Sequence, residues 1–193
     1  MDFWQGSSIY FSLGLDHILD PQGLDHLLFI VALCAGYSLK EWRQVGILVT
    51  AFTLGHSLTL ALSALDIFRL PSEVIEFMIP LTILLTSLYH LIFYRDPAKT
   101  LTRRVNYGLA LGFGLIHGMG FSNFFRELMM DSESVLQPLL FFNLGIEAGQ
   151  LLIVGAVLLR AGIWVNEVGV SARYWRIFLS VSTGVGALWL MLG

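Results

Sequence analysis

Long apolar runs alternate with short polar breaks along most of the chain. A helix needs about 20 mainly apolar residues to cross a bilayer, and six runs approach that length. They cover residues 24–39, 45–65, 72–94, 107–125, 137–159 and 174–192. The polar entry to the first run contains Pro21 and predicts a loop, an interfacial helix or a re-entrant segment before Leu24. The pattern predicts an all-α integral membrane protein, a compact bundle of about six transmembrane helices with a short N-terminal interfacial or re-entrant segment.

Composition supports a membrane protein. Hydrophobic residues make up 56% of the 193 residues and only 13% are charged, against about a quarter in ordinary soluble domains. Because the apolar runs are spread through the chain, residues 1–193 are expected to form a single transmembrane domain. A net charge of −3 without a basic stripe argues against nucleic-acid binding. The N-terminus lacks a basic segment, so no cleaved signal peptide is expected, and the lone Cys34 is interpreted as a packing residue.

Basic residues concentrate in alternate loops. Those after the first, third and fifth runs are Lys40, Arg43, Arg95, Lys99, Arg103, Arg104, Arg160, Arg173 and Arg176. The other loops contain Asp66, Arg69, Glu73, Arg126, Glu127, Asp131 and Glu133. Since Lys and Arg favour the cytoplasmic side, both termini are predicted on the non-cytoplasmic side of an inner (cytoplasmic) membrane. Whether the protein forms a homo-oligomer is left open by the sequence.

All five histidines lie in or at the edge of apolar runs. Ionisable groups at membrane depth usually face the bundle interior and mark an ion path or a reaction site. His56 and His117 lie about 8 residues, or roughly 12 Å, from the predicted outer ends of their helices, and Glu147 about 10 residues, or some 15 Å. The groups that converge on this outer half are Asp25, His26, His56, Glu76, His117 and Glu147. Chance placement would have scattered them.

The neighbours of these groups fit a shared site. Small-xxx-small patterns at Gly114–Gly118 and Gly145–Gly149 each enclose one ionisable residue and let helices approach closely. Polar side chains on the same helix faces could orient the ligands; they are Thr53, Asn143 and Gln150. Asp16 and His17 repeat the pair Asp25 and His26. Either this second pair adds ligands, or Asp16 caps a short helix.

Imidazoles and carboxylates without clustered thiols suit a borderline divalent ion such as Ni²⁺, Co²⁺ or Zn²⁺, and disfavour copper(I). We therefore expect one of these ions as the bound species. His90 lies near the other end of its helix, far from the predicted cluster. It is interpreted as an interfacial or structural residue, with an exit station on an ion path as the alternative.

Three functions fit these features. The leading hypothesis is a transporter or facilitator for a divalent transition metal; without a GxxxxGK[ST] motif, its energy would come from gradients, membrane potential or a partner. The second is an intramembrane zinc-dependent hydrolase with Glu147 or Glu76 as general base, although HExxH and GxSxG are both absent. The third is a structural or sensor subunit whose polar residues hold helices together. No residue is assigned as catalytic.

Five sequence blocks resemble the HupE/UreJ family of small membrane proteins. They are GLDHLLFIVAL (Gly23–Leu33), TAFTLGHSLTLALSAL (Thr50–Leu65), LPSEVIEFMIPLTI (Leu70–Ile83), GFGLIHGMGF (Gly112–Phe121) and FNLGIEAGQ (Phe142–Gln150). The resemblance implies a permease or accessory for nickel or cobalt, associated with supply to hydrogenase or urease. The family's motif positions fall here on His17, Asp25, His26, His56, Glu76, His117 and Glu147. His90 departs from the expected residue, and the chain resembles a minimal version without an added extracytoplasmic domain.

Overall fold

The computed structural model describes residues 3–21, 23–67, 70–93, 100–129 and 135–192. These residues form seven α-helices and no strand: α1 (Phe3–Leu19), α2 (Leu24–Cys34), α3 (Trp42–Ala64), α4 (Ser72–Ile92), α5 (Thr100–Met129), α6 (Leu136–Gly162) and α7 (Ala172–Leu192). A 3-10 turn at Leu39–Glu41 precedes α3, and a π-helical turn at Ile163–Glu167 follows α6. Five of the charges used for the predicted orientation lie outside the described residues, namely Arg69, Arg95, Lys99, Asp131 and Glu133.

Four segments of the described chain are long and apolar enough to cross a membrane: Leu39–Ala64, Ser72–Ile92, Leu136–Glu167 and Ala172–Leu192. They coincide with four of the predicted runs and make this a multi-pass membrane protein. Large apolar side chains on their outer faces are exposed, including Leu54, Leu152 and Trp189, as a lipid environment requires. The total of six crossings stays a prediction.

The run predicted at residues 24–39 differs from the structure. Its helix, α2, has only 11 residues, because Ser38 and Glu41 form a capping box that starts a new helical direction. The run predicted at 107–125 lies within α5, which has 30 residues. Neither α2 nor α5 is among the four long apolar segments.

The N-terminal segment is a continuous helix of 17 residues that lies along the first half of α6 and runs in the same direction. Near its start the Gln137 side chain donates to the Phe3 carbonyl at 2.9 Å, and near its end Ile18 packs against Gly149. Gly145 permits this contact, because a Cβ there would lie against the Phe11 backbone. The following helix, α2, contacts α4, α6 and α7, so α1 and α2 together follow most of the length of α6.

Helices α3 and α5 form a close parallel pair. Gly114 lies against the Phe52 backbone, and Gly118 lies against both the Thr59 side chain and the His56 backbone. Because a side chain larger than hydrogen would separate the helices at these points, the glycines set His56 and His117 at similar depth. We call the face at which α3 and α5 end and α4 and α6 begin the upper face, and its opposite the lower face.

Candidate metal centre

Four histidines from four helices meet in the interior. His17 of α1, His26 of α2, His56 of α3 and His117 of α5 contribute one imidazole each. His26 is central: its ring centroid lies 4.6 Å from that of His17, 5.9 Å from His56 and 5.2 Å from His117. His26, His56 and His117 are buried, and His17 is partly buried. The chain folds so that imidazoles separated by up to a hundred positions surround one point.

Two overlapping groups of side chains have donor atoms close enough to share an ion. The first comprises His17, His26 and His56, and the second comprises Asp25, His26 and His117. Within each group the donor atoms lie within 4.8 Å of one another. Since imidazole nitrogens bind Zn²⁺ at about 2.0–2.1 Å, each group is near the size of a shared coordination sphere. His26 belongs to both groups and is therefore the residue that connects them.

Most imidazole nitrogens of the cluster have no hydrogen-bond partner among the described residues. They are Nε2 of His17 and His26, both ring nitrogens of His56, and Nδ1 of His117. A buried polar atom without a partner costs about 1–3 kcal/mol. Several such atoms would destabilise a merely structural cluster, whereas a bound cation would take up the lone pair of one nitrogen from each imidazole that binds it.

Asp25 orients the central imidazole. Its carboxylate oxygen accepts the backbone N–H of His26 at 2.9 Å and lies 3.1 Å from Nδ1 of the same residue. A proton held on Nδ1 by the carboxylate leaves Nε2 of His26 as the electron-pair donor. Carboxylate partners of this kind fix the tautomer of metal-binding histidines and raise their basicity.

Thr82 of α4 orients the imidazole of His117. Its Oγ1 lies 2.9 Å from Nε2 of His117 and 2.7 Å from the carbonyl of Ile79. A hydroxyl has one proton, and directing it to Ile79 leaves the oxygen to accept Nε2–H of His117. The free Nδ1 of His117 then carries the lone pair. The sequence reasoning missed Thr82; the available signal was its spacing of four from Thr86 and of eight from His90 on one helix face.

Phenylalanine rings enclose the imidazoles. Phe121 lies 4.0 Å from His17 between ring centroids, and Phe29 and Phe52 lie 5.0 and 5.1 Å from His117. Phe142 stacks on Phe121 at 5.0 Å. These rings exclude water from the sides of the cluster and lower the local dielectric, which strengthens electrostatic attraction between a cation and Asp25. They were not identified from the sequence.

A cavity of about 260 Å³ leads from the upper face to the cluster. Its walls include His17, Asp25, His26 and His117, and its mouth lies at Ser72 near the start of α4. Glu76 and Asp20 also line it. Glu76 is exposed and belongs to neither donor group, so this predicted ligand stands at the entrance. Asp20, which sequence reasoning missed, follows the first Asp-His pair by three residues.

The remaining predicted residues have other hydrogen-bond partners or lie at the surface. Glu147 accepts a hydrogen bond from Thr50 on α3 at 2.6 Å and belongs to neither donor group. Thr53 and Gln150 bond to each other at 2.8 Å. The Asn143 amide donates to its own helix, at the carbonyl of Leu139, at 2.6 Å. Asp16 is exposed and lines a shallow surface cavity beside His17. Depth along a helix did not determine the direction in which these side chains point.

The described residues thus define a multi-pass helical membrane protein with a buried histidine and carboxylate donor set beneath a cavity open at one face. Comparison of the sequence with known protein families identifies its family. The family model described as HupE / UreJ protein matches residues 2–192, and the chain belongs to this family, as the resemblance predicted. Neither the curated proteins nor the solved structures include a match to the chain.

Proposed function

We propose that this protein moves a divalent transition metal ion, Ni²⁺ or Co²⁺ by preference and Zn²⁺ as the alternative, across the membrane through the histidine cluster. The observation that carries the proposal is the set of buried imidazole nitrogens from four helices that have no partner among the described residues. Three of these histidines, His17, His26 and His117, line the upper cavity. Membership of the HupE/UreJ family supports a metal-transport role.

In this mechanism Glu76, Asp20 and Asp25 attract the cation into the cavity, where their carboxylates replace part of its hydration shell. The ion then passes to imidazoles of the cluster, with His26 shared between the two donor groups. Two overlapping groups allow the ion to exchange ligands stepwise. Transport requires this, because a site must bind well enough to admit the ion and weakly enough to release it.

An intramembrane zinc hydrolase is the second candidate, and one observation favours it. The group Asp25, His26 and His117 borders the upper cavity, so a metal held there would keep a coordination position facing that cavity. Such an open position is what a catalytic zinc needs for its activated water. In this candidate Glu76 stands nearest the cavity among the glutamates predicted as a base.

Elemental analysis of the purified protein and metal uptake into proteoliposomes distinguish these functions. The wild type is expected to bind metal stoichiometrically and to accumulate it inside vesicles. His26→Ala removes the residue common to both donor groups and is expected to lower metal affinity at least about 100-fold, since loss of a supporting partner alone costs 10–100-fold. Ser180→Ala, a buried polar residue of α7 outside both donor groups, is the control and should retain binding. Tight metal that never crosses the bilayer would favour the hydrolase and refute transport.

A further inference from the structure

A second group of polar side chains lies between the histidine cluster and the lower face. His90 of α4, Asn106 of α5 and Tyr37, which follows α2, line a cavity of about 380 Å³ between these elements. His90 is only 5% exposed, and its Nδ1 has no hydrogen-bond partner in the part of the chain that the structure describes. The Asn106 amide donates to the Tyr37 hydroxyl at 2.9 Å, while Oδ1 of Asn106 has no such partner. The unpartnered imidazole nitrogen and the unpartnered amide oxygen therefore belong to two residues that line one cavity.

A buried polar stripe on α4 connects this cavity to the cluster. Thr82, Thr86 and His90 follow one another at intervals of four residues, which places them on one helix face. All three are buried. Thr82 contacts His117 of the cluster, whereas Thr86 and His90 line the lower cavity. The stripe covers roughly 12 Å along the helix axis and offers oxygen and nitrogen donors along this length.

Phe29 separates the two regions. Its ring centroid lies 5.0 Å from that of His117 and 4.8 Å from that of Phe52. Phe29 also lines the lower cavity and is 1% exposed. One aromatic side chain thus has the metal-binding cluster on one side and the cavity of His90 on the other. In the described conformation the upper cavity reaches three of the cluster histidines, whereas none of the four lines the lower cavity.

The charges near His90 favour weak rather than tight binding of a cation. Arg176 of α7 is close enough for its charge to act on the imidazole, and a positive charge there opposes retention of a divalent ion. The cluster differs, because Asp25 lies next to its central imidazole. Affinity for a cation is therefore expected to fall from the histidine cluster to the lower cavity.

We propose that His90, with Asn106 and Tyr37, is a second, low-affinity metal station at which the transported ion pauses before release at the lower face, the predicted cytoplasmic side. The inference rests on the transport function proposed above. Passage from His117 requires the Phe29 side chain to turn away, after which Thr82 and Thr86 provide hydroxyl oxygens along the route. Only coordination bonds form and break, and no covalent step is involved.

The test measures initial uptake of Ni²⁺ or Co²⁺ into proteoliposomes for the wild type, His90→Leu and His90→Cys. His90→Leu removes the donor and should slow uptake about tenfold, equivalent to about 1.4 kcal/mol of barrier, without changing equilibrium affinity at the cluster. His90→Cys should restore much of the rate, because a thiolate also binds these ions. Ser180→Ala again serves as the control for a lost polar group, and the melting temperature of each variant is recorded.

A direct binding measurement accompanies the uptake assay. In His26→Ala protein, whose cluster is disabled, titration with Co²⁺ alone should show weak absorbance changes from a remaining site, and adding His90→Leu should remove them. The inference is overturned if active wild-type protein and His90→Leu take up metal equally fast. It is also overturned if the leucine and cysteine variants are equally slow and equally destabilised, or if the weak Co²⁺ signal survives without His90. Wild-type protein that takes up no metal would instead refute the proposed transport function, and the Co²⁺ titration would still decide whether His90 binds metal.

Discussion

Thr82→Val tests whether the tautomer of His117 affects metal binding at the cluster. The two side chains have nearly the same shape, so the substitution removes the hydroxyl oxygen that lies 2.9 Å from Nε2 of His117 and leaves packing almost unchanged. A buried N–H that loses its acceptor costs about 1–3 kcal/mol. The imidazole avoids this cost by moving its proton to Nδ1 or rotating, and either change removes the lone pair from the site. We expect metal affinity to fall about 10–100-fold.

The assay is a competition titration of purified protein with a metal chelator, followed by the melting temperature without metal. Thr82→Ser should retain wild-type affinity, because it preserves the oxygen. Thr86→Val is the matched control: the same change one turn away, at a hydroxyl that bonds to the Thr82 carbonyl instead of a histidine. Equal affinity in Thr82→Val and the wild type, or an equal loss in Thr86→Val, would refute the argument that Thr82 fixes the tautomer of His117.

Three further predictions address packing and the donor set. Gly118→Ala should lower stability by about 1–3 kcal/mol, because its Cβ would meet the facing α3 backbone, whereas Gly112→Ala has open space and should be neutral or slightly stabilising in a thermal melt. Asp25→Asn should weaken metal binding in calorimetry while Glu147→Gln should not, since only the aspartate belongs to a donor group; the reverse order would contradict the site. Metal at 100 times its Kd should stabilise the wild type by about 2.7 kcal/mol, and His56→Ala should lose this shift.

The sequence predicted the apolar, lipid-facing helices well and the interior ones poorly. Hydropathy located the four long segments because lipid contact demands continuous apolar surface. The N-terminal segment was predicted only as a loop, an interfacial helix or a re-entrant segment. Gly14, Asp16 and His17 reduce its mean hydropathy, and Pro21 indicates a break. Burial against α6 explains Gly14, because a helix that packs closely on another helix needs small residues at the contact.

For the site, the sequence predicted which residues share a membrane depth, whereas the directions of their side chains come from the coordinates. Membrane depth suggested His56, His117 and Glu147 as neighbours. A helix of 3.6 residues per turn points successive side chains around its axis, so depth leaves the azimuth undetermined, and Glu147 contacts Thr50 on α3. The central position of His26 likewise depends on where α2 begins relative to α5. That relative position follows from tertiary contacts and cannot be predicted from the sequence.

The interruption between α1 and α2 explains how the histidines of the two Asp-His pairs, His17 and His26, belong to one site. Both helices lie along α6, and Asp20 and Gly23, from the chain between them, line the upper cavity. The carboxyl end of α1 carries the partial negative charge of a helix terminus, which attracts cations, and His17 lies in its last turn. The amino end of α2 carries the opposite partial charge and would repel a cation, but Asp25 occupies its first turn and compensates that charge. A break in one membrane-depth element therefore brings two imidazoles, two helix termini and an acid to the same place, an arrangement that an unbroken helix could not provide, because its backbone groups would bond to each other.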